Sequence, residues 1–245
     1  MEFEGKAALI TGASVGIGRA TAILLAERGA DLALLDVNEE KLQELCEELK
    51  GSIGKVKAYT CDVSNEEQVN SVVKDAISCF GKVDILINNA ALWRDGGEFL
   101  KIPTSKWVQF FNVNVMGVVY CTKAVLEGMV QNGYGRIINV ASVAGVYGNA
   151  NMVHYSASKG AVIAMTRALA KEVSDKGVLV NCVSPGSVSP SDHKDIDYSE
   201  PSILSFMGRT GTDRENAELI CFLASDRASY ISGQNIQIDG CRKKQ

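Results

Sequence analysis

Lys6-Ala7-Ala8-Leu9-Ile10 runs straight into Thr11-Gly12-Ala13-Ser14-Val15-Gly16-Ile17-Gly18, and a helical pattern follows over residues 19–28. The first five residues are short, apolar and bounded, as a strand buried on both faces is. A strand, a glycine-rich turn and a helix in that order give each glycine physical work. Gly12 permits a tight turn, Gly16 lets the backbone approach a pyrophosphate, and Gly18 lets the helix pack closely. The N–H groups where the helix starts then face a diphosphate, which makes Ser14, Val15 and Ile17 part of the same candidate site. The spacing is Gly-x-x-x-Gly-x-Gly rather than Gly-x-Gly-x-x-Gly. A merely connecting turn is the competing reading, and the strand–turn–helix context favours nucleotide binding over it.

A second strand, residues 31–35, ends in Asp36, about 20 residues beyond the glycine turn, where a carboxylate accepts hydrogen bonds from adenosine ribose hydroxyls. A carboxylate there also repels a 2′-phosphate, and Val15 offers no cation to hold one. Both features favour NAD over NADP. Asp36 as a cap of the next helix is the alternative; Asn38 is the better cap, which leaves Asp36 free.

The rest of the chain alternates. Strand patterns cover residues 56–61, 83–87, 136–140, 178–183 and 234–238, and helical ones cover 66–80, 104–130, 155–176 and 213–224. Strands separated by helices of this length imply right-handed crossovers and a parallel sheet covered on both faces. Ligands bind such sheets outside the carboxyl ends of the strands. Asp62-Val63, Asn88-Asn89-Ala90, Ser142 and Pro185-Gly186 all fall at such ends, so one cleft is expected.

Tyr155 and Lys159 come from a helix instead, four residues apart and therefore on one face. A fixed ammonium favours the phenolate and pulls a tyrosine pKa toward the working range. Alone, Tyr-x-x-x-Lys is a weak signal and reads as well as a surface helix face; next to a dinucleotide site it is a proton-transfer device.

Taken together, Thr11-Gly12-x-x-x-Gly16-x-Gly18, Asp62-Val63, Asn88-Asn89-Ala90, Asn114, Ser142, Tyr155-x-x-x-Lys159 and Pro185-Gly186 resemble the short-chain dehydrogenase/reductase family, in order and over essentially the whole chain. The resemblance implies a Rossmann-type, doubly wound α/β fold: a seven-stranded, mainly parallel sheet with helices on both faces, in one catalytic domain of residues 1–245. It is nearest the bacterial branch of 3-oxoacyl-carrier-protein reductases and hydroxysteroid and sugar-alcohol dehydrogenases. It implies that Tyr155 is the general acid for carbonyl reduction and the base for alcohol oxidation. Lys159 would hold the nicotinamide ribose and lower the Tyr155 pKa, and Ser142 would hydrogen-bond the substrate oxygen. Asn114 would hold a water that links Lys159 to solvent. Asp62 and Val63 would flank the adenine, Asn88, Asn89 and Ala90 would line the adenosine side, and Val183 to Gly186, with Val188, would lie along the nicotinamide. Two positions depart from the family. Ala91 stands where glycine is common, and Ser187-Val188-Ser189-Pro190 replaces a threonine that contacts the carboxamide, so Ser189 is the candidate substitute. The resemblance also implies a homodimer or homotetramer built on the long 104–130 and 155–176 helices.

The 245 residues carry a net charge of −4 without a basic cluster, which argues against nucleic acid. No basic, apolar leader opens the chain and no apolar run reads as a membrane span, so a cytoplasmic enzyme is expected. Seven scattered cysteines without a Cys-x-x-Cys pair read as buried thiols, and His154 and His193 are too few and too separated for zinc. Arg242, Lys243 and Lys244 read as a solvated tail.

The stretch after Gly186, residues 187–208, lacks periodicity and is the expected substrate-covering loop. Its Ile196, Tyr198, Ile203, Leu204, Phe206 and Met207 fit either a cover for an apolar substrate or a small packed helix. Trp93, Val143, Tyr147 and Met152 should lie near the cleft mouth. These residues favour an apolar small-molecule substrate such as a hydroxysteroid or bile acid. A 3-oxoacyl-carrier-protein reductase, tied to lipid metabolism, is the second expectation; Gln131-Asn132-Gly133-Tyr134 lacks the cations that an acidic carrier needs. A redox sensor that binds NAD(H) without catalysis is the alternative of another class; retention of Tyr155, Lys159, Ser142 and Asn114 weighs against it.

Overall fold

β1 (Ala7–Thr11) is buried along its whole length and sits mid-sheet in a computed structural model that describes residues 1–189 and 194–243. Pro190, His193 and Lys244, named above, lie outside the described residues. β1 pairs with β2 (Asp31–Asp36) on one side and β4 (Ile85–Asn88) on the other, Ile10 standing level with both Leu34 and Ile87. With β3 (Val56–Thr60), β5 (Gly135–Val140), β6 (Val178–Pro185) and β7 (Asn235–Ile238) the order is β3-β2-β1-β4-β5-β6-β7, and every pairing is parallel. The direction of strand addition reverses between β1 and β4. A crevice opens there at the carboxyl ends.

Period-two alternation divides the core. Ile10, Leu34 and Ile87 pack beneath α1 (Gly16–Glu27) and α8 (Asp213–Ala224). Leu9, Leu35, Leu86 and Ile137 face the other way, toward α3 (Glu66–Phe80), α5 (Gly117–Gln131) and α7 (Val153–Val173). α2 (Glu39–Glu48) is capped by Asn38, whose side chain accepts from the Lys41 N–H at 3.1 Å.

The expected continuous helix over 104–130 is in fact α4 (Thr104–Phe111), one π turn at Asn112–Met116, and α5. A single π turn widens the ladder without interrupting the apolar pattern, so nothing in the periodicity announces it. By length and composition residues 104–131 would also pass for a membrane span, contrary to the first reading. Here Cys121, Val125 and Met129 of that run are buried in the core instead.

All seven cysteines are free; burial pushes the Cys61 and Cys182 thiols up to about 11 and those of Cys121 and Cys221 to about 12, which makes them inert packing groups.

Candidate active site

The glycine turn is built by steric exclusion. Gly12 (φ +63°) and Gly16 (φ +58°) adopt left-handed backbone, and a Cβ on Gly12 would stand 2.8 Å from the Ala90 Cα. A Cβ on Gly18 would lie 2.1 Å from the Gly12 carbonyl oxygen, so α1 closes directly onto the turn. Asn89 locks the same turn from β4: its Nδ2 donates to the Thr11 and Gly12 carbonyls at 3.1 and 2.9 Å.

A cleft of about 800 Å³ opens above this turn. Gly12, Val15, Gly16 and Ile17 form one end of its wall, followed by Asp36, Asp62 and Val63, then Asn89 and Ala90. Ser142, Tyr155 and Lys159 line it from β5 and α7, and Pro185, Gly186 and Val188 line it from the end of β6. Besides Val183 and Ser184, which are buried within β6, four expected residues serve the walls instead. Ser14 is buried and its N–H is spent on Asp36 Oδ2 at 3.0 Å. Gly18 is packed beneath the turn. Asn88 is buried, its Nδ2 donating to Asn139 Oδ1 at 2.9 Å. Asn114 is the fourth.

Asp36 is not free. Oδ2 accepts from Ser14 and Oδ1 accepts the Asn38 N–H at 3.0 Å. Two main-chain bonds fix the carboxylate toward the cleft, and each oxygen retains a lone pair for a ribose hydroxyl.

Tyr155 and Lys159 share one face of α7, as their spacing demands, with the Lys159 Nζ 5.9 Å from the Tyr155 ring centre. The ammonium is nevertheless turned to β5, donating to the Val140 carbonyl at 2.7 Å. Burial is what dominates both groups. It pushes the Tyr155 phenol above its ordinary value, and the Ser142 hydroxyl pulls it partly back; it depresses Lys159 to about 8. Burial thus sets the direction of the phenol's shift here, while the Lys159 ammonium is turned to the Val140 carbonyl. Gly145 makes the approach possible: a Cβ there would meet the Lys159 carbonyl carbon at 2.6 Å, so α6 (Ala144–Tyr147), which follows Ser142, nests on α7.

Asn114 stands in the π turn, buried, and its carboxamide is bonded within the protein. Nδ2 donates to the Leu92 carbonyl and to Ser158 Oγ, and Oδ1 accepts the Leu92 N–H. The side chain thus braces the cleft wall.

Over the described part of the 187–208 loop, the apolar residues divide. Ile196 joins the core beside α1, whereas Ile203, Phe206 and Met207 face solvent. What lines the cleft is Ser187, Val188, Ser189 and Glu200. Ser189 Oγ is buried there without a hydrogen-bond partner among the described residues, an orphaned polar group of the kind a cofactor amide satisfies. Sequence reasoning missed Gln109 and Val113, one turn apart on the wall, and Asp213 at the start of α8, whose carboxyl burial pushes up to about 6. Helical spacing would have found the first two, since a residue pair at i, i+4 shares a face. Asp213 carries no motif.

A glycine turn that only glycines can form, a fixed carboxylate at the end of β2, an orphaned hydroxyl and a buried Tyr–Lys pair in one cleft fit a nicotinamide dinucleotide and define an oxidoreductase of CH–OH groups. A family model described as "Enoyl-(Acyl carrier protein) reductase" matches residues 12–241, and the chain belongs to the short-chain dehydrogenase/reductase family. It is 40% identical over 243 residues to the 3-oxoacyl-[acyl-carrier-protein] reductase FabG of Thermotoga maritima, covering 98% of each chain. It is 36% identical to the (2S)-[(R)-hydroxy(phenyl)methyl]succinyl-CoA dehydrogenase subunit BbsD of Thauera aromatica, covering 99% of this chain and 98% of the relative. Among solved structures, NAD+-bound xylitol dehydrogenase superposes with a TM-score of 0.90 at 33% identity, covering 98% of this chain and all of the other.

Proposed function

We propose that the chain interconverts the 3-oxo and 3-hydroxy forms of an acyl thioester with NAD(H). The observation that carries the chemistry is the convergence of Tyr155, Ser142 and Lys159 on a wall of the cleft that the glycine turn also lines. When bound, a nicotinamide ring supplies the hydride in reduction and takes it in oxidation. Tyr155 gives its phenolic proton to the substrate oxygen in reduction and recovers it in oxidation. Ser142 donates to that same oxygen as negative charge develops on it. Lys159, held in register by the Val140 carbonyl, presents its ammonium to the ribose, and Ser189 Oγ meets the carboxamide. The fixed Asp36 supports NAD over NADP.

The acyl thioester is preferred because relatives covering nearly the whole chain are named as a 3-oxoacyl-[acyl-carrier-protein] reductase and a (2S)-[(R)-hydroxy(phenyl)methyl]succinyl-CoA dehydrogenase subunit, both acting on thioesters. The hydroxysteroid expectation rested on an apolar loop and on Trp93, Val143, Tyr147 and Met152; Ile203, Phe206 and Met207 face solvent, and of those four Trp93 and Met152 line the cleft while Val143 and Tyr147 do not. Arg136, which follows the cation-poor 131–134 segment, is not available to a carrier: it is buried against Asp226 at 3.1 Å. A coenzyme A or other small thioester therefore suits this surface better than an acidic carrier protein. Phe99, Leu100 and Val108, exposed beside and on α4, support assembly into a dimer or tetramer.

NADH and NADPH oxidation followed by absorbance tests the reading, with acetoacetyl thioesters of coenzyme A and acyl carrier protein, a 3-oxo bile acid, and a ketose. NADH-dependent reduction of the coenzyme A thioester is expected. Turnover confined to the bile acid or the sugar would overturn the substrate assignment.

A further inference from the structure

Beside the main cleft lies a second, open pocket of about 180 Å³, which shares the walls Ala91, Leu92, Trp93 and Gln109 with it and is lined further by the exposed Arg94 and Asp95 and by Lys106 and Phe110. Its charges do not balance. Lys106 is paired with Asp95 at 2.8 Å, which leaves Arg94 as the uncompensated cation. Among the described residues Arg94 has no carboxylate in ion-pair range; its guanidinium lies 4.7 Å from the Trp93 ring centre. The imidazole of His154 packs on the Phe110 ring, 4.2 Å between ring centres, and burial and then Lys106 hold its pKa below the ordinary value.

The arch that carries Arg94 is pinned at both ends. Leu92 is bonded through its N–H and its carbonyl to Asn114, and the Gly97 N–H donates to the Asn151 carbonyl at 2.7 Å. Between these anchors Asp95 takes φ +71°, a left-handed conformation that a non-glycine residue adopts at some cost. A Cβ on Gly96 would lie 2.7 Å from the Asn151 oxygen, so the arch presses against the segment leading into the Tyr155 helix. A guanidinium is suited to fork the paired oxygens of a carboxylate or phosphate. A cavity of this volume holds such a group, being worth about six waters at about 30 Å³ each.

We propose that this side pocket receives an anionic group of the substrate, a carboxylate or a phosphate, with Arg94 as its charged partner and Gln109 as a neutral donor at the shared wall. The proposal deepens the thioester reading and rests on it. Two sources present this chemistry: a second carboxylate on the acyl chain, or the phosphate of a phosphopantetheine arm.

Matched substrates separate them. The 3-oxohexanoyl and 3-oxoadipyl thioesters of N-acetylcysteamine have the same length and differ in a terminal methyl against a carboxylate. The 3-oxohexanoyl thioesters of N-acetylcysteamine and phosphopantetheine differ in the phosphate-bearing arm. For one pair, wild-type kcat/KM should favour the anionic member by about 10-fold or more, chiefly through KM, as one charge-assisted contact provides. In Arg94→Gln that ratio should collapse toward one, in Arg94→Glu it should invert, and Arg94→Lys should keep part of it. Ratios near one in both wild-type pairs, or a preference that survives Arg94→Gln, would overturn the pocket. Turnover of the neutral thioester reports on the thioester reading alone. If no thioester is turned over, saturation-transfer NMR on the NADH complex compares 4-oxopentanoate and 4-oxopentyl phosphate with methyl 4-oxopentanoate. A signal that needs the anion and Arg94 supports the pocket, and equal signals overturn it.

Discussion

Asn114 holds Leu92 by both of its main-chain groups, Nδ2 donating to the carbonyl at 2.9 Å and Oδ1 accepting the N–H at 2.8 Å. Its Nδ2 also donates to Ser158 Oγ at 3.0 Å, and that hydroxyl donates to the Tyr155 carbonyl at 2.7 Å. One side chain in a π turn therefore ties the loop wall of the cleft to the helix that bears Tyr155 and Lys159. The relative position of the wall and Tyr155 depends on it.

Asn114→Ala removes this tie and strands the Leu92 groups. Each unpaired buried group costs about 1–3 kcal/mol. The Leu92 groups are part-buried, so a loss of about 2–3 kcal/mol is expected, a thermal midpoint lower by about 4–12 °C at roughly 2–4 °C per kcal/mol, with a reduced turnover. An unchanged midpoint in differential scanning calorimetry would show that the brace is dispensable.

Gly18 and Gly128 give a contrast within one residue type. Gly18→Ala drives a Cβ into the Gly12 carbonyl, so NADH affinity should fall by at least about 10-fold, some 1.4 kcal/mol. Gly128, within α5 with open space around its Cα, should accept alanine with a gain of about 0.5–1 kcal/mol. Fluorescence titration with NADH and urea denaturation measure the two. Equal NADH affinity in Gly18→Ala would contradict the steric reading of the turn.

The proposed preference for NAD rests on Asp36. The double change Asp36→Ala with Val15→Arg removes a fixed carboxylate and supplies a cation. NADP kcat/KM should rise by about 10-fold or more relative to NAD, the effect of one charge-assisted contact. NADP kinetics as poor as before would show that preference is set elsewhere.

Asp213 makes a prediction about pH. Burial raises its folded-state pKa to about 6 from 3.8, so between those values the folded protein binds more protons than the unfolded chain. Stability contributed by this group therefore falls as pH rises through that window. Asp213→Asn should match the wild type near pH 3.5 and exceed it above pH 6, by on the order of 1–3 kcal/mol. Urea denaturation at several pH values checks the sign; an advantage that shrinks with rising pH would refute it.

Much of this was legible in the chain itself, and the reason is steric. Gly12, Gly16 and Gly18 are required by a geometry that other residues do not fit, so they mark the turn in sequence as plainly as in space. Tyr155 and Lys159 are legible because helical spacing alone puts them on one face. The π turn at Asn112–Met116 was not, since Val113, Val115 and Met116 continue an apolar run that is indifferent to one widened turn. Asp36 was placed correctly, but its bonds to Ser14 and Asn38 depend on how two loops meet. The apolar loop residues misled for a related reason: composition states that Phe206 and Met207 are apolar, not which way they face. Arg94 was silent because an uncompensated charge is a property of its neighbours.

The most direct measurement is turnover by Tyr155→Phe, with NADH binding followed in parallel. Loss of the phenolic proton should lower kcat by roughly 10²–10⁴-fold, the usual scale for a general acid, while NADH binds as it does to the wild type. Unchanged turnover with intact NADH binding would remove Tyr155 from the chemistry and with it the proton-transfer role assigned to this cleft.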